Sequence, residues 1–129
     1  MITEVHFVEK LPGLSAGMHF SLASLDDNGL LFSLRGTGDD PTRLFLVQPG
    51  PYFEEYTPSL EASSLAAVHL DGGTDPRCAV LVIVTPRTDA APATANLLAP
   101  VILNTETGDA LQVILEGTPW PLRAPFAAA

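Results

Sequence analysis

Short apolar runs, mostly alternating or β-branched, recur along this chain between clusters of Gly, Pro, Asn and Asp. That punctuation predicts an all-β domain. Val5-His6-Phe7-Val8 is the first run, and Leu11-Pro12-Gly13 turns the chain after it. His19 to Leu25 alternates, with Phe20, Leu22 and Ser24 on one side. Asp26-Asp27-Asn28-Gly29 then leads into Leu30 to Leu34. Asn-Gly between two such runs predicts a hairpin, because both residues tolerate positive φ. Gly36 to Pro41 reads as a polar turn and Arg43 to Gln48 as the next strand.

The middle of the chain departs from this rhythm. Pro49-Gly50-Pro51 forbids a regular ladder, and Tyr52-Phe53-Glu54-Glu55-Tyr56 sets aromatics beside acids. Leu60 to Ala67 predicts one or two helical turns, with Pro58 suited to a helix start. Val68 to Leu70 reads as extended, and Asp71-Gly72-Gly73 as a turn. Ala79 to Thr85 is apolar on both faces, which predicts a central strand covered on both sides. Thr88 to Pro92 reads as a loop. Pro100 inside the apolar run Leu97 to Leu103 predicts an edge position or a bulge. Thr107-Gly108-Asp109 turns the chain, and Leu111 to Leu115 closes the sheet. The expected architecture is a single-domain, antiparallel, barrel-like sheet over residues 1–129. It carries at most one or two short helical turns, and Ala127 to Ala129 form a frayed tail.

Composition narrows the function classes. A chain of 129 residues, 47% apolar with mean hydropathy +0.26, has enough apolar surface to fold around one core. Six basic against fifteen acidic residues leave a net charge of −9. Direct nucleic-acid binding needs clustered Lys and Arg, so this balance argues against it, and against an anionic bilayer surface. No apolar stretch approaches the ~20 residues needed to span a membrane. Met1 to Lys10 shows no charged start followed by an apolar block, so no secretory signal is expected. Cys78, the single cysteine, excludes an intrachain disulfide framework and suits a reducing cytosol. With only Arg77 beside it, it reads as an inert structural thiol.

Candidate chemistry is sparse. Gly13-Leu14-Ser15-Ala16-Gly17 fits the G-x-S-x-G nucleophile pattern, which has meaning only between a strand and a helix. Here strand-like alternation follows it, so it reads as a glycine-rich turn. His6, His19 and His69 are widely spaced and show no metal-binding motif. Asp26-Asp27-Asn28-Gly29 lacks the alternation and terminal Glu of a calcium loop, and Asp39-Asp40 reads as a solvated turn. No catalytic, cofactor or metal set is assigned. Two stretches stand out. The Tyr52 to Tyr56 cluster fits either core aromatics with solvated acids or an exposed set of interface anchors. In Thr94 to Pro100, Asn96 suits a strand start where its side chain satisfies backbone groups.

The second stretch carries a resemblance. Ala95-Asn96-Leu97-Leu98-Ala99-Pro100-Val101-Ile102-Leu103-Asn104, followed by Gln112-Val113-Ile114-Leu115, closely resembles the signature of the flagellar assembly factor FliW family. Val5-His6-Phe7 with Leu11 to Leu14, Arg43 to Val47 with Pro49 and Tyr52 to Tyr56, Val80 to Thr85, and Trp120 to Phe126 resemble further family segments in order. The likeness runs over nearly the whole chain. It departs at Leu34-Arg35-Gly36, where the family has a Leu-Gln-Ser-like segment. It also departs before Val5, where members usually carry a strand, so one sheet edge is expected to be incomplete or differently covered.

The resemblance implies a non-enzymatic cytoplasmic binding protein. Its partners would be CsrA, a small dimeric RNA-binding translational regulator, and flagellin. Binding one or the other would couple flagellin synthesis to export, without direct contact to nucleic acid or membrane and without a cofactor. Tyr52, Phe53, Glu54, Glu55, Tyr56 and Asn96 are the expected partner-binding residues. The alternatives are a flagellin-specific chaperone without CsrA activity, or a small acidic β-barrel hydrolase or metal-dependent enzyme.

Overall fold

The structure is a computed structural model that describes residues 4–9, 18–27, 29–37, 43–72 and 74–125. The Gly13–Gly17 motif, the Leu11–Gly13 turn, most of the Gly36–Pro41 turn and the Ala127–Ala129 tail lie outside those residues. In chain order the elements are β1 (Glu4–Phe7), β2 (His19–Ser24), β3 (Leu31–Gly36), β4 (Arg43–Val47), α1 (Ala62–Ala67) and β5 (Cys78–Thr85), then β6 (Thr94–Ala95), β7 (Val101–Asn104), β8 (Asp109–Gln112) and β9 (Ala124–Pro125).

Seven strands close on themselves in the order β4-β3-β2-β1-β8-β7-β5, with β5 pairing back onto β4 through Leu46 opposite Ile83. Most ladders are antiparallel, as expected. The exception is β1 with β8, which run parallel with His6 opposite Asp109. Of the two expectations for the sheet edge, incomplete or differently covered, the first does not hold at β1, which is paired on both sides, by β2 and by β8. Closure leaves these strands without a free edge. The β2–β3 hairpin forms where Asn-Gly predicts it. Gly29 takes φ +69°, and the Asp26 carboxylate accepts the Leu30 and Leu31 amides at 3.0 and 3.3 Å.

The double-sided apolar character of β5 has a direct cause. Ala79, Leu81 and Ile83 point into the barrel with Val5, Phe7, Phe20, Leu34, Leu46, Val101 and Leu103. Cys78 and Val80 point outward beneath α1, among Leu65, Val68, Leu70, Ile102 and Leu111. Val82 and Val84 also point outward, into a third cluster with Val47, Tyr56, Ala95, Leu97, Leu115 and Ala124. One strand thus serves three packing clusters, and each large aliphatic group fully buried in them is worth about 1.5–3 kcal/mol.

The expected helical turns occur, but they begin at Ala62 with Glu61 as N-cap, not at Pro58. The expected extended segment Val68 to Leu70 does not. These residues close the helix instead: the Leu70 amide donates to the Leu65 carbonyl at 2.9 Å and the His69 amide to that of Ala66 at 3.0 Å. His69 takes φ +64°. This is a Schellman closure, with Leu65 and Leu70 making its apolar contact. A non-glycine residue at the left-handed position hides the signal that normally marks such an end.

Candidate partner-binding surface

The two stretches singled out in the sequence meet in space. β6 and β7 lie end to end along one edge of β5, and between them Val82 and Ile83 face the five residues Asn96 to Pro100. The chain therefore bulges out of the ladder, with Pro100 as the last residue before β7. Leaving a ladder orphans backbone carbonyls, and buried ones must find donors. Here the four carbonyls from Leu97 to Pro100 do. Leu97 accepts the Tyr56 hydroxyl at 2.8 Å, and Leu98 the Leu115 amide at 2.8 Å. Ala99 accepts the Gln112 side-chain amide at 3.2 Å, and Pro100 the Val113 amide at 2.9 Å. The Asn96 carboxamide oxygen accepts the Ala99 amide at 3.0 Å, and Leu97 donates to Pro121 at 3.1 Å.

Tyr56 is the outer clasp of this junction. It is buried, and its ring meets that of Trp120 edge-on at 4.9 Å. Burial pushes its phenol up to about 12, so the hydroxyl stays protonated and able to donate. Asn104, at the end of the same block, is a second brace. Its side-chain amide donates to the Val68 and His69 carbonyls at 3.0 and 3.3 Å. Its oxygen accepts the Glu106 and Thr107 amides at 2.9 and 3.2 Å. It is wholly buried, and it ties the end of α1 to the turn between β7 and β8. A polar residue closing an apolar strand was the one available signal for it.

Of the expected partner-binding residues, Glu54 and Glu55 are exposed, whereas Tyr52, Phe53 and Asn96 are half-buried and Tyr56 is buried. Tyr52 and Phe53 pack against the cluster around Tyr56 and Trp120. The aromatics thus supply core and the acids supply surface. A groove of about 550 Å³ runs alongside β8, lined by Leu60, Ile114 and the carboxylates Glu9, Glu61 and Glu116. Ile114 is 60% exposed there, an apolar side chain ringed by acids. A more apolar hollow of about 730 Å³ lies at the far end of the barrel, between Leu25, Phe45, Val84 and the loop carrying Arg87.

The strongest ionic contact is local. The Asp75 carboxylate accepts Arg77 Nη2 at 2.8 Å and Nε at 3.1 Å. These bonds hold it well below the usual carboxylate range and raise the guanidinium in turn. Burial, reinforced by Asp75, pushes the Cys78 thiol up, away from the reactive thiolate. Among the described residues, no three His, Cys, Asp or Glu side chains converge on a common metal position. No helix among them is long and apolar enough to cross a membrane.

Fold and surface define a class: a small β-barrel filled by its own side chains, braced at a wide bulge and acidic outside. The family model of the FliW protein matches residues 2–126, and the chain belongs to the FliW family. It is 32% identical to the flagellar assembly factor FliW of Syntrophotalea carbinolica over 124 residues, covering 96% of this chain and 86% of that one. It is 26% identical to the protein of the same name from Bacillus subtilis over 120 residues, covering 93% and 82%. A crystal structure of the flagellar assembly factor FliW superimposes with a TM-score of 0.82 at 26% identity, covering 95% of this chain and 84% of that one.

Proposed function

We propose that this chain is a cytoplasmic, non-enzymatic regulator of flagellum assembly that binds a CsrA-type translational regulator and, alternatively, flagellin. Membership of the FliW family over residues 2–126 is the observation that carries this reading. Charge supports it independently. A body with net charge −9 is suited to a basic, RNA-binding partner, whose phosphate ligand it would repel on docking. The acid-ringed Ile114 groove and the exposed Glu54-Glu55 pair offer such a partner apolar contact and opposite charge together. The test is a titration against a CsrA homologue and against flagellin, with a competition arm. Direct binding to each is expected. Flagellin-saturated protein should bind CsrA about tenfold more weakly or worse, because coupling between mutually exclusive partners is reciprocal. Excess protein should also release CsrA from a target RNA in a gel shift; a complex left intact removes the regulatory reading.

A further inference from the structure

All three histidines of the chain lie on one outer strip of the barrel, although they sit far apart in sequence. His19 on β2 is the antiparallel register partner of His6 on β1, and His6 is in turn the parallel partner of Asp109 on β8. Val5 and Phe7 point into the core on either side of His6, so this row faces outward. Beyond it, His69 at the end of α1 contacts Asp109 through Nδ1 at 2.9 Å. The His6 and His19 rings stand 4.9 Å apart between centres, inclined at 61°. Two imidazoles that share one metal at about 2.0–2.1 Å per nitrogen hold their ring centres about 4.5–5.3 Å apart. The observed separation falls inside that window.

We propose that His6 and His19 form a surface site for a borderline divalent transition metal such as Zn²⁺ or Ni²⁺. The two imidazoles supply the protein ligands and water fills the remaining positions. Imidazole is the natural donor for these ions. The backbone preorganises the pair: the ladder fixes both strands, and the His6 amide donates to the Gly108 carbonyl at 2.8 Å. Asp109, engaged by His69 and by Thr107 Oγ1 at 2.9 Å, adds a nearby negative charge without being counted as a ligand. The net charge of −9 favours cation approach. Metal bound here would staple β1 to β2 and stabilise the barrel near its closing parallel ladder.

The test is calorimetric titration of the full-length protein with ZnCl₂ and separately with NiCl₂, paired with thermal melts. One ion per chain is expected, with a raised melting temperature. His19→Gln, at an exposed position, should weaken binding by about tenfold or more while leaving the metal-free melt unchanged, and His6→Gln should do the same to binding. His69→Asn keeps a residue tolerant of positive φ and should bind as wild type does. Absence of binding at tens of micromolar metal overturns the proposal, and so does binding that survives His19→Gln. Loss of binding in His69→Asn with retention in His19→Gln would place the site at His69 and Asp109, which also overturns it.

Discussion

The Tyr56 hydroxyl ties the aromatic loop to the bulge. Tyr56→Phe leaves the Leu97 carbonyl buried without its donor, which costs about 1–3 kcal/mol and should appear as a lower urea midpoint at unchanged slope. The same group sets an alkaline limit. Its folded-state pKa, about 12, lies above the 10.0 of an ordinary phenol side chain, so the unfolded chain ionises first as the pH rises. The stability it confers is complete below pH 10.0 and is lost as the pH climbs toward about 12. Denaturation midpoints measured across that window should fall more steeply in wild type than in Tyr56→Phe. Asn104 gives a second test. Asn104→Asp keeps the oxygen that accepts two amides but turns a carboxylate toward the Val68 and His69 carbonyls. A loss of about 2–4 kcal/mol at neutral pH is expected, partly recovered when acid protonates the new side chain.

At the scale of elements, the helix depends on its closure more than on its length. Six residues are too few to be stable alone, and α1 has no side-chain N-cap bond. Its hold is Leu65, which is buried under the helix and accepts both the Val68 and Leu70 amides through its carbonyl. Leu65→Ala should cost about 2–5 kcal/mol in global stability. It should also accelerate hydrogen exchange at the His69 and Leu70 amides more than at those of β5, which native-state exchange by NMR resolves. The bulge behaves differently. Its bonds run to β8, to the aromatic loop and to the segment before β9, so it opens only when several neighbours do.

For the molecule as a whole, the proposed binding of a basic partner is tested through charge. The acids Glu54 and Glu55 are exposed and make no contribution to the core. Glu54→Lys with Glu55→Lys should leave the circular dichroism spectrum and melt unchanged. It should slow association with a basic CsrA-type partner and flatten the salt dependence of the rate, because rim charges steer encounter over a screening length of about 8 Å. Surface plasmon resonance at two salt concentrations reads both quantities. Rates and slopes equal to wild type would return these acids to the role of a solvated face and shift attention to the groove around Ile114.

Much of this architecture was legible along the chain because its signals are local. Alternation, Asn-Gly and the two-faced apolar run of β5 each report a nearby backbone preference or a burial pattern. The family resemblance was legible for the same reason: Asn96 to Asn104 is one contiguous block. What stayed hidden depends on neighbours distant in sequence. The two-residue strands β6 and β9 are too short to alternate; β6 exists because β5 offers it an edge, and β9 because β6 does. The parallel pairing of β1 with β8 leaves no mark in either strand, since register across a closing barrel is set by the whole ring. The Tyr52 to Tyr56 stretch fits either core aromatics or interface anchors in sequence; in the fold Tyr56 is buried and Tyr52 and Phe53 half-buried, because burial is decided by what packs against a side chain and not by its type. The three histidines, scattered at positions 6, 19 and 69, came onto one strip only when two ladders and a helix end placed them there. Sequence by itself determined the longer strands, the Asn-Gly hairpin and the family. Tertiary structure alone decided which of the residues in them face one another, because facing is a property of register and closure that local preferences do not encode.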